Sequence, residues 1–142
     1  MTMTIDEVRV WLKRGSKTDT EHEIKALEMS VHRLRHFERL AREIGGTSAD
    51  GVEAYAKVTQ ERIDELKAAS DDVARVISQV SDGTQRRILE YKYVRGLTNE
   101  QIANAMHYCV GSVNRHHRAA LLSVKNILER DGNAASRIAD GE

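Results

Sequence analysis

The sequence predicts an all-α fold: a long N-terminal helical hairpin followed by a C-terminal helix-turn-helix domain. Three observations carry that expectation. The 142 residues contain no proline and only 9 glycines, which leaves long runs free of helix breakers. Aromatic residues make up 4% of the chain and charged residues 31%, so a core must come from Leu, Ile, Val and Ala, which suit packed helices better than sheets. Apolar residues recur at intervals of three and four, the period of a helical stripe.

The elements follow in order. Ile5, Val8, Trp11 and Leu12 share one face of a short amphipathic helix over 5–14, with Gly15 at its end. Thr18, Asp19 or Thr20 can cap the next helix, expected from about Thr20 to Ile44 with Ile24, Leu27, Val31, Leu34, Phe37 or Ala41, and Ile44 in its stripe. GGTSADG, 45–51, reads as a loop with Asp50 available as a cap. Val52, Tyr55, Thr59, Ile63, Leu66, Ala69, Val73, Val76 or Ile77, and Val80 carry the period onward, with a break able to form at Ser70-Asp71-Asp72. Two long helices joined by a short loop should lie antiparallel. They carry more apolar edge than one pair can cover, which calls for a third helix or a second chain. SDGT, 81–84, marks the next boundary, and a helix is expected from Thr84 to Arg95, ended by Gly96. Thr98 should cap NEQIANAM, with Gln101 at the reciprocal position of a capping box. After a break at 107–109 the last helix should run from Val110 to about Glu129. Asp131-Gly132 should end it, and 131–142 reads as a disordered tail. The expected division is 1–80 for a hairpin that oligomerises or binds a partner, 81–130 for a helix-turn-helix, and 131–142 for the tail.

The stretch LTNEQIANAMHYCVGSVNRHHRAAL, 97–121, has what two helices folded into a DNA-reading corner require. A small residue must stand where the helices come closest, and Ala103 supplies it. A tight turn must follow, at His107-Tyr108-Cys109, with Cys109 expected as a buried turn residue. An inward residue must come early in the second helix, and Val113 supplies it, with Leu121 and Val124 continuing the inner face. Gly111, Ser112, Asn114, Arg115, His117, Arg118 and Lys125 are then expected to face outward, a basic and hydrogen-bonding set suited to a major groove. Asn is matched to adenine and Arg to guanine, each worth about 1–3 kcal/mol of discrimination. Arg86, Arg87 and Thr98 are further candidates for contact with DNA, and Lys92 and Arg95 for phosphates.

These residues resemble the DNA-binding region 4 of bacterial sigma factors, with Ile102, Ala103, Val113, Ala120 and Leu121 at that family's spacing. Residues 72–128 are similar also to phage regulators of the ArpU/RinA type, through Arg87, Ile88, Leu89, Tyr93, Gly96, Thr98, Ile102 and Ala103. The resemblance implies a phage or prophage transcription regulator of the late-gene activator type, with double-stranded DNA as ligand and RNA polymerase as a possible partner. The sequence departs from the pattern at Cys109, where Ser or Thr is usual, and Gly111 costs about 1 kcal/mol of helix stability relative to Ala. The runner-up is a small-terminase-like packaging or assembly protein, with helix-turn-helix heads on an oligomerising helical body.

The net charge of zero is a sum of unlike parts. Residues 1–83 hold 13 Lys and Arg against 16 Asp and Glu, residues 84–130 hold 8 against 3, and the last twelve hold 1 against 3. The basic segment contains the helix-turn-helix pattern, which places DNA binding at that end. One cysteine allows no internal disulfide, no apolar run nears the ~20 residues of a bilayer span, and MTMTIDEVRVWLKRG, with Asp6 and Glu7 and no apolar run, is not expected to be a signal peptide. A cytoplasmic protein is the expectation. His32 and His36 share a helix face without a third ligand in sequence, so no metal is expected, and no cofactor. No nucleotide-binding, metalloprotease or nucleophile-elbow signature is present, so no enzyme is expected. A homodimer through 20–80 is expected from the two apolar stripes.

Overall fold

The structure, a computed structural model, describes residues 2–45 and 50–140, without the side chains of residue 50 and of 133–140. Every regular element among them is helical: α1 Ile5–Arg14, α2 Lys17–Glu43, α3 Asp50–Ser78, α4 Gly83–Leu89 continuing into a π turn at Glu90–Val94, α5 Asn99–Met106, and α6 Val110–Asp140. Most of the loop expected at 45–51, and the capping role given to Asp50, lie outside the described residues. α3 runs through Ser70-Asp71-Asp72 without a break.

Local chemistry sets the helix starts. Thr4 and Glu7 form a capping box at α1. Ser16, not a residue of 18–20, caps α2: its Oγ accepts from the Asp19 backbone N–H at 3.4 Å. α2 therefore begins one turn earlier than the sequence suggested. The α1–α2 corner is tight because Gly15 lies buried against α3. A Cβ there would meet Val73 and come within 2.6 Å of the Ala69 carbonyl oxygen, so glycine is required by close approach.

α2 and α3 lie side by side in opposite directions, with Glu23 meeting Arg62, Ser30 meeting Tyr55, and Arg35 meeting Glu53. The pair is thin. Thr20 is the one buried residue of α2, while Phe37 is 63% and Ile44 88% exposed.

The main core lies at the opposite end and does not divide at residue 80. Val8 and Leu12 of α1 are fully buried with Val73, Val76, Ile77 and Val80, and against Leu89, Tyr93, Leu121 and Val124. At about 1.5–3 kcal/mol for each fully buried large aliphatic side chain, α1 is a structural part of the C-terminal half. The boundary expected between 80 and 81 thus cuts through one core. A smaller cluster of Ile88, Ile102, Ala103 and Val113 adjoins it. In the π turn the Arg95 N–H reaches back five residues to the Glu90 carbonyl. From that turn Tyr91 packs on the smaller cluster and Tyr93 on the main one.

α6 does not end near Glu129. It continues to Asp140, through Asn133-Ala134-Ala135-Ser136-Arg137, which holds no proline and two alanines. Asp131-Gly132 is no stop, and Asp131 sits 3.7 Å from Arg75 of α3. The expected disordered tail is helical backbone to 140, and 141–142 lie outside the described residues. Among the described residues no helix is long and apolar enough to cross a membrane.

Candidate nucleic-acid interface

α5 starts on the capping box read from the sequence. The Gln101 N–H donates to Thr98 Oγ1 at 3.2 Å, and the Thr98 N–H donates to Gln101 Oε1 at 2.9 Å. α5 ends at His107, whose left-handed backbone (φ 58, ψ 40) lets the chain reverse. The Tyr108 N–H then donates to the Ala103 carbonyl at 2.9 Å, and the Cys109 carbonyl accepts the first bond of α6 from Val113 at 3.1 Å. Tyr108 stacks on His116 across the corner, with centroids 5.6 Å apart. Cys109, expected to be buried, is exposed, because its backbone alone serves the turn. Ala103 and Val113 are buried together, so the small side chain stands where α5 and α6 meet.

α6 turns Val113, His117, Ala120, Leu121 and Val124 inward. His117 is thus a correction to the expected outward face. It lies one helical turn after Val113, only about 40° round the helix, and is 7% exposed. Its Nε2 shares a 2.9 Å hydrogen bond with the Tyr93 hydroxyl, and the two rings stack at 5.9 Å. Burial, then the charges of Lys92 and Arg9, lower its pKa to about 4. Burial raises that of Tyr93 to about 12. His117 is a neutral, buried residue at pH 7 that is unsuited to reading a base, although its edge lines a cleft beside Lys92 and Arg118.

The other expected contacts divide. Arg115, Asn114 and Arg118 are exposed on α6, and Ser112 is half-buried. Arg115 points most directly away from the core, about 200° from Val113. Asn114 is held on its flank. Lys92 Nζ, a donor only, bonds Asn99 Oδ1 at 3.0 Å, so Asn99 Nδ2 donates to Asn114 Oδ1 at 2.8 Å. That chain fixes the orientation of both amides and leaves Asn114 Nδ2 to project as a donor. Thr98 is exposed at the start of α5, its side chain engaged in the cap. Arg87 is exposed on α4. Arg86 is half-buried and donates to the Val80 carbonyl at 2.9 Å, tying α4 to the end of α3. Arg95 lies over the Tyr91 ring at 5.3 Å.

The sequence did not disclose Arg9. It enters the neighbourhood of Lys92 and His117 only because α1 docks on α6, and a helix of ten residues does not reveal its docking site. His32 and His36 are exposed on α2. The chain matches no protein-family model, no curated protein and no solved structure.

Proposed function

We propose that the protein is a sequence-specific DNA-binding transcription regulator of phage or prophage type, whose α5 and α6 form a helix-turn-helix with α6 as the recognition helix. One observation carries the reading: Val113 locks the start of α6 onto Ala103, while Arg115, Asn114 and Arg118 stand exposed on the same two turns. The reading is supported also by the basic charge of 84–130 and by the resemblance to sigma region 4 and the ArpU/RinA regulators. In it, Arg115 reads a base edge, and Asn114, on the flank beside it with its oxygen already engaged, offers a donor to the groove wall. Arg118, Arg87 and Thr98 contact the backbone. Arg86 and His117 are assigned to the framework instead. We assign no catalytic activity, cofactor or metal, and a cytoplasmic location.

The partner we propose for α2 and α3 is a second copy of the chain, with RNA polymerase the other surface an activator would touch. Met29, Phe37 and Leu40 of α2 and Ile44 just after it are exposed, and at 100° per residue they fall on one side of the helix. Charge supports the second copy. Residues 17–30 hold two basic against four acidic residues, and 31–43 hold four basic against two acidic. Two copies of α2 packed antiparallel set each half against its opposite. The long α2–α3 arm also suits the alternative, a packaging protein of small-terminase type, which would assemble as a ring. The test of function is selection of bound sequences from random duplex DNA at fixed salt. A recovered motif supports the regulator, and enrichment of nothing counts against it.

A further inference from the structure

A cleft of about 540 Å³ opens where α1, the π turn, α5 and α6 meet, and Arg9, Lys92 and Arg118 stand on its walls with Asn99 and Asn114 between them. Among the described residues the only acid on these walls is Asp6. Its carboxylate lies 3.3 Å from Arg9, in a pair whose side chains are 53% and 90% exposed. Such a pair is weak, so the cleft keeps most of its positive charge. Among the described residues neither Lys92 nor Arg118 is in an ion pair.

Lys92 is half-buried, and its ammonium is held by the Asn99 carbonyl oxygen rather than by a carboxylate. Burial and the nearby Arg9 both work against its charge and lower its pKa. Collected cations that repel one another, with amide groups among them and almost no counter-charge, favour an incoming anion.

We propose that this cleft is a seat for one phosphate of the DNA backbone, with Arg9, Lys92 and Arg118 as its charged contacts, so that α1 belongs to the DNA-binding surface. The proposal rests on the reading of α6 as a recognition helix. Asn114 and Arg118 are spaced i, i+4 along the flank of α6 that faces α1, while Arg115 lies on its outermost line. A helix seated in the major groove turns its outer line to the bases and its flanks to the phosphates of the groove walls. Arg9, on a separate helix, widens the grip on one wall beyond what α6 alone can reach. The single negative charge of a phosphodiester, with two free oxygens, suits a cleft whose donors come from three directions.

Binding of the full-length chain to cognate and scrambled duplexes, followed by fluorescence anisotropy at several salt concentrations, tests this. Arg9→Gln should weaken both duplexes alike, by roughly tenfold at 0.1 M salt, and should lower the salt slope by about one unit. Arg9→Lys should keep most of the affinity. Asp6→Asn should tighten binding to both. Arg14→Gln, an exposed change outside the cleft, should alter neither. Unchanged affinity and slope in Arg9→Gln, with specificity still lost in Arg115→Ala, would overturn the seat and leave the recognition helix standing. Absence of DNA binding by the wild-type chain would overturn both.

Discussion

His117 shows how one side chain ties the fold to pH. Its folded pKa lies near 4, below the ordinary 6.5. Between those values the unfolded chain binds the proton and the folded chain does not, so stability rises with pH across that window and is lost as pH falls through it. The contribution is on the order of 2–3 kcal/mol. Acid unfolding of wild type and His117→Gln separates it from the carboxylates. The stability of wild type relative to the variant should shrink between pH 7 and 4, and a constant difference would mean that the imidazole is not held neutral. Two glycines make opposite predictions at the same scale. Gly15→Ala should lower the melting temperature, with about 1–3 kcal/mol lost, because the Ala69 carbonyl blocks a Cβ. Gly111→Ala meets nothing within 4 Å and should stabilise by up to about 1 kcal/mol. Calorimetry of the two variants reads both signs.

Among the elements, α5 and the start of α6 were the most legible in the sequence, because their chemistry is local. The Thr98–Gln101 capping box and the Ala103–Val113 contact depend on spacing of a few residues, and the structure reproduces both. His117 departs from expectation at the same place: with Val113 inward, a residue four positions on also turns inward, and the polarity of the imidazole conceals that in the sequence. The start of α2 is not legible in the sequence, because Ser16, Thr18, Asp19 and Thr20 are all able caps, and Ser16 takes the role beside a Gly15 packed closely on α3. α1 illustrates the larger limit. Its amphipathic face was plain, but which helices bury Val8 and Leu12 depends on contacts more than sixty residues away in sequence. Deleting residues 2–14 should therefore destabilise α4 and α6 as well. Hydrogen exchange should show reduced protection at Leu121 and Val124, and unchanged protection there would mean that α1 is dispensable.

For the whole molecule, the uneven burial sets the expectations. One end holds a continuous core, whereas the arm of α2 and α3 ends in exposed Phe37, Leu40 and Ile44. A 27-residue α2 extends about 40 Å, too far for the core to cover. Sedimentation at micromolar concentration should show a species of twice the chain mass, and Phe37→Glu with Leu40→Glu should return it to a monomer. A monomer of wild type would remove the dimer, and a ring of eight or more would favour the packaging alternative. The proposed function rests on α6 reading bases, and the most direct measurement is the affinity of Arg115→Ala for cognate and scrambled duplexes across salt, beside Arg118→Ala. Arg115→Ala should lose about 1–3 kcal/mol on the cognate duplex and blur the preference at one base position. Arg118→Ala should weaken both duplexes alike and lower the salt slope by about one unit. Equal and unimpaired binding of both duplexes by Arg115→Ala would contradict the claim that this helix reads DNA.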